Sequence, residues 1–371
     1  MALAPTASAA PLRVLVFRIG QLGDTVVALP ALWVLRRQFP HARLTLLCDQ
    51  HPDKRFVLAS DLLRGSGVVD EFFAYVVDPS PRGRLLRPVR MLGLLARLRA
   101  AGFDTLAYLA PSTRRPAEVE RDRKFFAAAG IKKFFGLHGF TPLPVKRPGE
   151  PLGATPAESD LLLARLAADG LPVPAPGTGS LDLGLGASEA QQVNAWLRDL
   201  PGDGGRRWLG VGPGSKMSAK RWPEERFQAV VKELVTTHDV WPVIFGGPED
   251  RAVGERLLTA AGRGYNAAGA LNLRGSVAAL RRCALYLGND TGTMHLAAAA
   301  GTPCVALFSA REWPGMWFPY GVPQTVLRET VACEGCALLE CRTHGNECLQ
   351  RITPAAVLAA CRERLAEVRR N

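Results

Sequence analysis

Residues 288–301 combine the side chains and the spacing of an anion-binding turn. The apolar run 284–287 before the turn predicts a buried strand, and residues 294–300 after it predict a helix that ends at Gly301. The backbone N–H groups and the dipole of such a helix would both point toward the turn. Thr291, Gly292 and His295 are therefore candidates for contact with an anionic ligand.

Asp290 fits this site less simply, because a carboxylate repels phosphate. We predict that Asp290 caps the helix N-terminus and orients the turn. An ordinary capped helix in an α/β domain would have the same spacing, so this stretch alone leaves both interpretations open.

A second candidate carboxylate is Asp24. Residues 13–18 predict a strand, 26–38 a helix and 43–48 another strand, which places Asp24 in the loop at the carboxyl end of the first strand. Open α/β sheets bind ligands at this edge. The loop lacks the G-x-G-x-x-G fingerprint of dinucleotide sites. Asp24 is thus either a ligand-facing group or the N-cap of the following helix.

The loop 213–223 follows a predicted strand at 207–212 and contains Ser215 and Lys220. Its glycines, hydroxyls and lysines suit a diphosphate, which needs N–H, O–H and ammonium donors. It is not a P-loop, because G-x-x-x-x-G-K-[ST] is absent. A basic surface loop is the alternative interpretation.

The elements around these loops predict the fold class. Strands alternate with helices on both sides of a Pro- and Gly-rich linker at 170–186, which predicts two α/β domains within the 371 residues. No apolar run reaches the roughly 18 residues of a transmembrane span. Residues 1–11 lack the basic start and the apolar core of a signal peptide and predict a loose tail. We therefore expect a cytoplasmic protein.

The formal net charge of +12 favours anionic partners, although solubility explains it equally well. Residues 81–101 carry arginines between leucines and no acidic residue. Such a stretch is typical of a helix on an anionic membrane surface, and a solvated helix face is the alternative. No aromatic ladder or nucleic-acid-binding module accompanies the basic residues, so nucleic acid is not an expected partner.

Four cysteines near the C-terminus, Cys333, Cys336, Cys341 and Cys348, form a separate motif. They could hold a structural zinc ion or an iron–sulfur cluster, with His344 as an alternative ligand. The spacing of the second pair is wide for a metal site, so plain thiols or a disulfide are the competing interpretation. We expect any metal here to lie away from the chemistry.

Three stretches together resemble the motif blocks of glycosyltransferase family 9, the heptosyltransferases of lipopolysaccharide core assembly and their relatives. They are residues 18–30 (RIGQLGDTVVALP), 220–223 (KRWP) and 289–295 (NDTGTMH). The resemblance covers nearly the whole chain and implies a GT-B architecture, in which two Rossmann-like domains face a cleft. The implied acceptor domain is 12–185, and the implied nucleotide-sugar domain is 186–352. The helical segment 353–371 would return to the N-terminal domain.

The resemblance also implies a role for each matching residue. Asp24 would be the general base that deprotonates the acceptor hydroxyl, with Arg18 and Gly23 supporting the site. The donor-binding residues would be Ser215, Lys220, Glu249, Asp290, Thr291, Gly292 and His295. Among these, Lys220 and Ser215 would hold the diphosphate, and Glu249 would meet the ribose.

The implied reaction is an inverting transfer from a nucleotide-diphosphate sugar, with ADP-heptose as the candidate donor, to an anionic glycolipid. No cofactor is expected, and the sequence contains no D-x-D pair to anchor a metal–diphosphate complex. The acceptor stays open among lipopolysaccharide core, O-antigen, capsule and glycoprotein glycan. Two other functions also stay open: another GT-B enzyme such as a nucleotide-sugar epimerase, and a non-catalytic sugar-nucleotide-binding protein.

Overall fold

The computed structural model describes residues 11–51 and 57–367. Apart from Pro11, the predicted tail 1–11 lies outside these residues, as do residues 368–371 of the predicted last segment. The described residues form two β-sheets, every strand pair is parallel, and a helix lies between successive strands of each sheet except between the last two strands of the second sheet. The predicted α/β fold class is therefore confirmed.

The strands of both sheets are numbered in chain order. They are β1 (Arg13–Phe17), β2 (Arg43–Gln50), β3 (Glu71–Val76), β4 (Thr105–Tyr108), β5 (Lys133–Phe135), β6 (Trp208–Gly212), β7 (Trp241–Ile244), β8 (Tyr265–Asn266), β9 (Cys283–Asn289), β10 (Cys304–Phe308) and β11 (Gln324–Arg328). The first sheet has the order β3-β2-β1-β4-β5, and the second has the order β11-β10-β9-β6-β7-β8.

The helices are α1 (Leu22–Val27), α2 (Leu29–Gln38), α3 (Ala59–Leu63), α4 (Pro81–Ala101), α5 (Pro116–Ala128), α6 (Glu158–Ala168), α7 (Ala187–Leu197), α8 (Glu224–His238), α9 (Arg251–Ala261), α10 (Leu273–Leu280), α11 (Gly292–Ala299), α12 (Glu347–Gln350) and α13 (Pro354–Glu367). None of these described helices combines the length and the apolarity that crossing a bilayer requires.

The central strands are buried on both faces, which is why they read as continuous apolar runs. Strand β6 is buried along its whole length, and β10 is as well. Because all strands of a sheet run the same way, the loops that follow β6, β7, β9 and β10 meet at one edge of the second sheet. This is the edge at which open α/β sheets bind ligands.

The chain after β1 folds differently from the prediction. The single helix expected at 26–38 is wrong, since α1 and α2 are separated at Ala28. Pro30 explains the break, because its ring lacks an N–H group and would clash with the carbonyl of Val26 in a continuous helix. The first helix also begins earlier than predicted. Asp24 therefore lies inside the first turn of α1, and its alternative role as N-cap is wrong.

By their internal contacts the residues divide into two compact units. One comprises the chain up to Gln21 together with Pro30–Phe140 and Leu162–Pro174. The other comprises Leu22–Leu29, Thr141–Leu161 and the chain from Ala175 onward. Helix α1, which carries Asp24, thus belongs to the unit of the second sheet. The predicted division at 185 and 186 differs from these units at three places along the chain.

Helix α13 packs on the second sheet. Its residues Val357, Ala360, Cys361 and Leu365 are buried in the same core as residues of β6, β9 and β10. Apolar side chains three and four positions apart form one stripe on a helix, and burial of that stripe fixes the position of α13. The expectation that the last helix returns to the N-terminal domain is therefore wrong for the described residues.

Candidate functional site

The turn after β9 has the geometry that its sequence predicted. Strand β9 ends at Asn289, and α11 begins at Gly292 with Thr291 as its N-cap. The Thr291 hydroxyl lies 2.8 Å from that of Thr293, which in turn lies 2.9 Å from the Tyr286 hydroxyl. A chain of hydroxyl groups therefore borders the amino end of α11, where the helix dipole favours an anion.

Asp290 does not cap α11, so that prediction is wrong. Its side chain is buried, and its Oδ2 lies 2.6 Å from Nζ of Lys220. The same Nζ lies 3.6 Å from Oε2 of Glu312, which follows β10. Burial alone would lower the pKa of Lys220, but the carboxylates of Asp290 and Glu312 outweigh it and raise that pKa. Lys220 is therefore a fixed ammonium group held between two carboxylates.

Arg311 supplies the second cation of this cluster. Its guanidinium pairs with Glu312 and donates hydrogen bonds of 2.8 Å to the carbonyls of Ala337 and Leu338. Two cations and two carboxylates thus lie together at the carboxyl edge of the second sheet. The two positive and two negative charges balance in number, so the cluster carries no large excess of positive charge.

Asn289 fixes the loop that carries Lys220 and Ser215. Its side chain is fully buried, donates a 2.7 Å hydrogen bond to the carbonyl of Pro213 and accepts a 3.1 Å hydrogen bond from the amide of Trp222. Both ends of the loop are thereby tied to the end of β9. Within the loop, the Ser215 hydroxyl accepts a 3.2 Å hydrogen bond from the amide of Met217. The two predicted donor residues of this loop are therefore held at the same edge as α11.

Two glycines bring the first and third motif blocks together. A Cβ atom at Gly23 would lie 2.8 Å from Cδ2 of His295, and one at Gly292 would lie 2.8 Å from Cδ2 of Leu22. Both distances are too short for real side chains. Helix α1 can lie against α11 only because each helix has a glycine where the other presents a side chain. Asp24 follows Gly23 directly, so this contact positions the predicted base next to the predicted donor site.

His295 is buried in the first two turns of α11, and its ring meets that of Trp317 edge to face at 6.5 Å between centroids. Burial, aided by the charge of Lys220, lowers the pKa of His295 from 6.5 to about 3. The imidazole is therefore neutral at physiological pH. It can orient a ligand through one hydrogen bond, but it cannot offset the charge of a diphosphate.

The loop after β7 carries Glu249 and Asp250. Glu249 is exposed, which leaves its carboxylate accessible to a ligand. Asp250 is wedged between two neighbouring loops, since a Cβ at Gly214 or at Gly246 would collide with its side chain. Burial is the main cause that raises the pKa of Asp250 above its ordinary value. The carboxyl group of Asp250 fits between the loops after β6 and β7 because these two positions are glycines.

Arg18 lies in the unit of the first sheet. It is buried, and its Nη1 donates a 2.7 Å hydrogen bond to the carbonyl of Leu109, just after β4. Its backbone amide donates to the carbonyl of Leu47 in β2. Arg18 therefore ties the end of β1 to both neighbouring strands, and its predicted role of supporting the first motif stays a prediction.

The cysteine-containing loop lies against the loop that carries Lys220. The amide of Ala219 donates to the carbonyl of Leu339, and Nδ2 of Asn346 donates to the carbonyl of Ser218. Together with the Arg311 contacts, these bonds place residues 337–346 against the Lys220 loop. The motif thus lies near the predicted diphosphate-binding residues, and the expectation that it is remote from the chemistry stays a prediction.

The four cysteines of the motif are free thiols and form no disulfide with a described residue. Burial, followed by the charges of neighbouring cysteines, raises the pKa of both Cys333 and Cys348. No group of three or more metal-ligating side chains within the described ranges has a metal-binding arrangement.

Sequence reasoning missed several residues of the site: Asn289 as a brace, Asp250, Arg311 and Glu312. Arg311 and Glu312 lie in the loop that follows β10, as Asp290 lies in the turn that follows β9. Inspection of every strand end at the carboxyl edge could have found them. Their partners, however, come from loops distant in sequence, which no local pattern reveals.

Comparisons with known proteins agree with the second and third motif blocks, at 220–223 and 289–295. The family model described as glycosyltransferase family 9 (heptosyltransferase) matches residues 162–346. The lipooligosaccharide heptosyltransferase 2 of Haemophilus influenzae is 30% identical over 148 residues, which are 38% of this chain and 42% of that protein. The match thus spans less than half of this relative's length. The predicted family resemblance is confirmed.

Solved structures support the predicted architecture. The family 9 glycosyltransferase of Veillonella parvula is similar with a TM-score of 0.69 and 21% identity, over 96% of this chain and 97% of that one. The ADP-heptose lipopolysaccharide heptosyltransferase II of Escherichia coli is similar with a TM-score of 0.66 and 21% identity, over 96% and 99%. The predicted GT-B fold class is therefore confirmed.

The lowered pKa of His295 predicts a pH effect on stability. Below pH 6.5 the unfolded chain protonates this histidine, whereas the folded chain does not do so until about pH 3. Stability that is complete above pH 6.5 is therefore lost progressively as the pH falls toward 3. Between pH 7 and pH 5 this loss should reach about 2 kcal/mol of unfolding free energy. Urea unfolding at several pH values should show it in the wild type and not in His295→Gln.

His138→Gln is the matched control, because His138 is exposed. This variant should keep the pH dependence of the wild type. Parallel curves for the wild type and His295→Gln would show that His295 titrates normally and is not held neutral by burial.

Proposed function

Because residues 162–346 carry a glycosyltransferase family 9 domain, we propose that this protein transfers heptose from ADP-heptose to a hydroxyl group of lipopolysaccharide or a related cell-surface glycan. The donor is proposed from the E. coli relative, whose structure is that of an ADP-heptose heptosyltransferase. The observation that carries the proposal is the glycine contact of Gly23 with His295. It holds a carboxylate beside a helix N-terminus suited to a diphosphate.

In the proposed reaction, Asp24 accepts the proton of the acceptor hydroxyl. The resulting oxygen nucleophile attacks the anomeric carbon of the donor while the bond from that carbon to the diphosphate breaks. The electron pair of the broken bond leaves with ADP, and the configuration of the sugar is inverted. The position of Asp24 in the first turn of α1 supports its role, because a helix N-terminus stabilises the ionised carboxylate that a base requires.

The leaving diphosphate is proposed to lie at the amino end of α11. Lys220 has three N–H donors, so it can keep its contact with Asp290 while it donates to a phosphate oxygen. The amides at Gly292, the Ser215 hydroxyl and neutral His295 supply further fixed donors. Such preorganised donors stabilise the charge that develops as the sugar leaves. Exposed Glu249 is proposed to accept hydrogen bonds from the ribose hydroxyls.

The two alternative functions predict different products. An epimerase would change the donor sugar without any acceptor, whereas a binding protein would hold the donor without turnover. The family match favours transfer over both. Chromatography of reactions with and without acceptor separates the three functions. The cytoplasmic location stays a prediction from the sequence.

Asp24→Asn tests the base. The variant should lose about a hundredfold or more of the transfer rate, since an amide cannot accept the proton, while ADP affinity stays near that of the wild type. Transfer is measured by release of ADP and binding by calorimetry. Asp199→Asn, a change at an exposed aspartate, should leave both values unchanged. Near-normal transfer by Asp24→Asn would place the base at another residue.

Lys220→Ala tests the donor contact. The variant should bind ADP about 1 to 3 kcal/mol more weakly, the usual cost of a lost charge-assisted hydrogen bond. The same substitution in an Asp290→Asn background separates two roles. If Lys220 touches the phosphate, the loss persists there; if Lys220 only neutralises Asp290, the loss disappears. Lys232→Ala on the exposed face of α8 serves as the control.

Transfer should survive EDTA, because Lys220 and the α11 N-terminus already supply cationic and dipolar groups for the diphosphate. The rate is measured before and after chelation and dialysis. If chelation abolished transfer and added magnesium or manganese restored the rate, the metal-free mechanism would be contradicted. Melting temperature in the same samples tests the cysteine motif, since loss of a structural metal would lower it.

A further inference from the structure

Helix α4 has an apolar face that nothing in the described chain covers. Leu85, Val89 and Leu92 are 80%, 67% and 66% exposed, although leucine and valine are usually buried. Leu86 beside them is exposed as well, so half of the large exposed apolar residues of the described chain lie on this one helix. Single exposed leucines are ordinary, but a contiguous group marks an interaction surface.

The spacing of these residues defines a second face of the helix. Leu85, Val89, Leu92 and Ala96 follow one another at four, three and four positions and thus form one stripe. The opposite stripe, with Leu94 and Leu98, is buried in the core of the first sheet's unit. The helix therefore needs only one of its two apolar faces to hold its place in the fold.

The positive charges of α4 favour binding of an anionic partner. Arginines flank the exposed stripe, and the helix contains no acidic residue. Arg90 pairs with Asp78 at 3.6 Å, and Arg99 donates to the carbonyl of Ala128. By contrast, Arg82 and Arg84 are exposed in the first two turns, and neither forms an ion pair with a described residue.

Helix stability does not explain these arginines. The dipole makes cations unfavourable near a helix N-terminus, where acidic residues are preferred. The N-terminus of α4 is instead capped by Ser80, whose hydroxyl accepts from the amide of Gly83. Arg82 and Arg84 thus oppose the dipole of their own helix. A contact with an external anionic partner would offset this cost.

We propose that the exposed face of α4 docks on an anionic lipid bilayer. Leu85, Val89 and Leu92 insert among the acyl chains near the headgroups, and the arginines bind the headgroup phosphates. Amphipathic helices that combine an apolar face with basic residues bind the surface of anionic membranes in this way. A second copy of the chain is a poor occupant, because its α4 would bring equal positive charges against these arginines. The proposal does not depend on the transferase activity.

Vesicle co-sedimentation tests the proposal with the full-length protein. Binding to vesicles of phosphatidylcholine and phosphatidylglycerol should exceed binding to phosphatidylcholine alone by at least tenfold, and added salt should release the protein. The triple variant L85Q/V89Q/L92Q keeps every charge and should bind the anionic vesicles at least tenfold more weakly. The paired variant V145Q/L339Q is the matched control, since both residues are exposed and apolar outside α4.

A charge pair completes the test. R82Q/R84Q should weaken binding to anionic vesicles at least tenfold, whereas R37Q/R198Q removes two exposed charges elsewhere and should have a much smaller effect. Circular dichroism and ADP affinity verify that each variant is folded. Wild-type vesicle binding by the triple variant would overturn insertion, and equal effects of the two charge pairs would overturn docking through α4. Absence of ADP binding in all forms would overturn only the proposed transferase function.

Discussion

The proposed donor site of this protein depends on the buried contact between Lys220 and Asp290. An ion pair removed from water is stable only when each charge keeps its partner, and loss of one partner leaves a costly isolated charge. The pair therefore fixes the loop after β6 to the turn after β9, and Glu312 adds the loop after β10. Asn289 holds the same two segments by uncharged hydrogen bonds. A ligand in this region meets groups that are already oriented.

The charge balance of this cluster argues against a donor site that attracts phosphate mainly by excess positive charge. From sequence, a chain with a net charge of +12 suggests that phosphate is attracted by excess positive charge. In the structure, the cations nearest α11 are matched by carboxylates, and His295 is neutral. In the proposed donor site, recognition would then come from oriented donors at the amino end of α11 more than from excess charge. The excess arginines lie elsewhere, many of them on α4.

Short sequence patterns correctly predicted the features that depend on neighbouring residues. The turn after β9, the loop containing Ser215 and the α/β alternation all follow from short runs of residues, and the structure has them. The break between α1 and α2 was also encoded locally by Pro30, but the prediction missed it. The roles of Asp290 and Lys220 could not be predicted in this way, because their pairing joins loops that are distant in sequence. The protonation of His295 depends on burial, and the position of α13 depends on which sheet covers its apolar stripe.

The contact between Gly23 and His295 has a consequence for how such sequences can change. Positions 23 and 295 share one small volume, so a larger residue at the first requires a smaller ring or a shifted helix at the second. The same holds for Leu22 and Gly292. The two segments are separated by most of the chain, but their steric contact means that substitutions in one limit the substitutions possible in the other. A larger residue at Gly23 or Gly292 should therefore be tolerated only together with a compensating change at the side chain it faces.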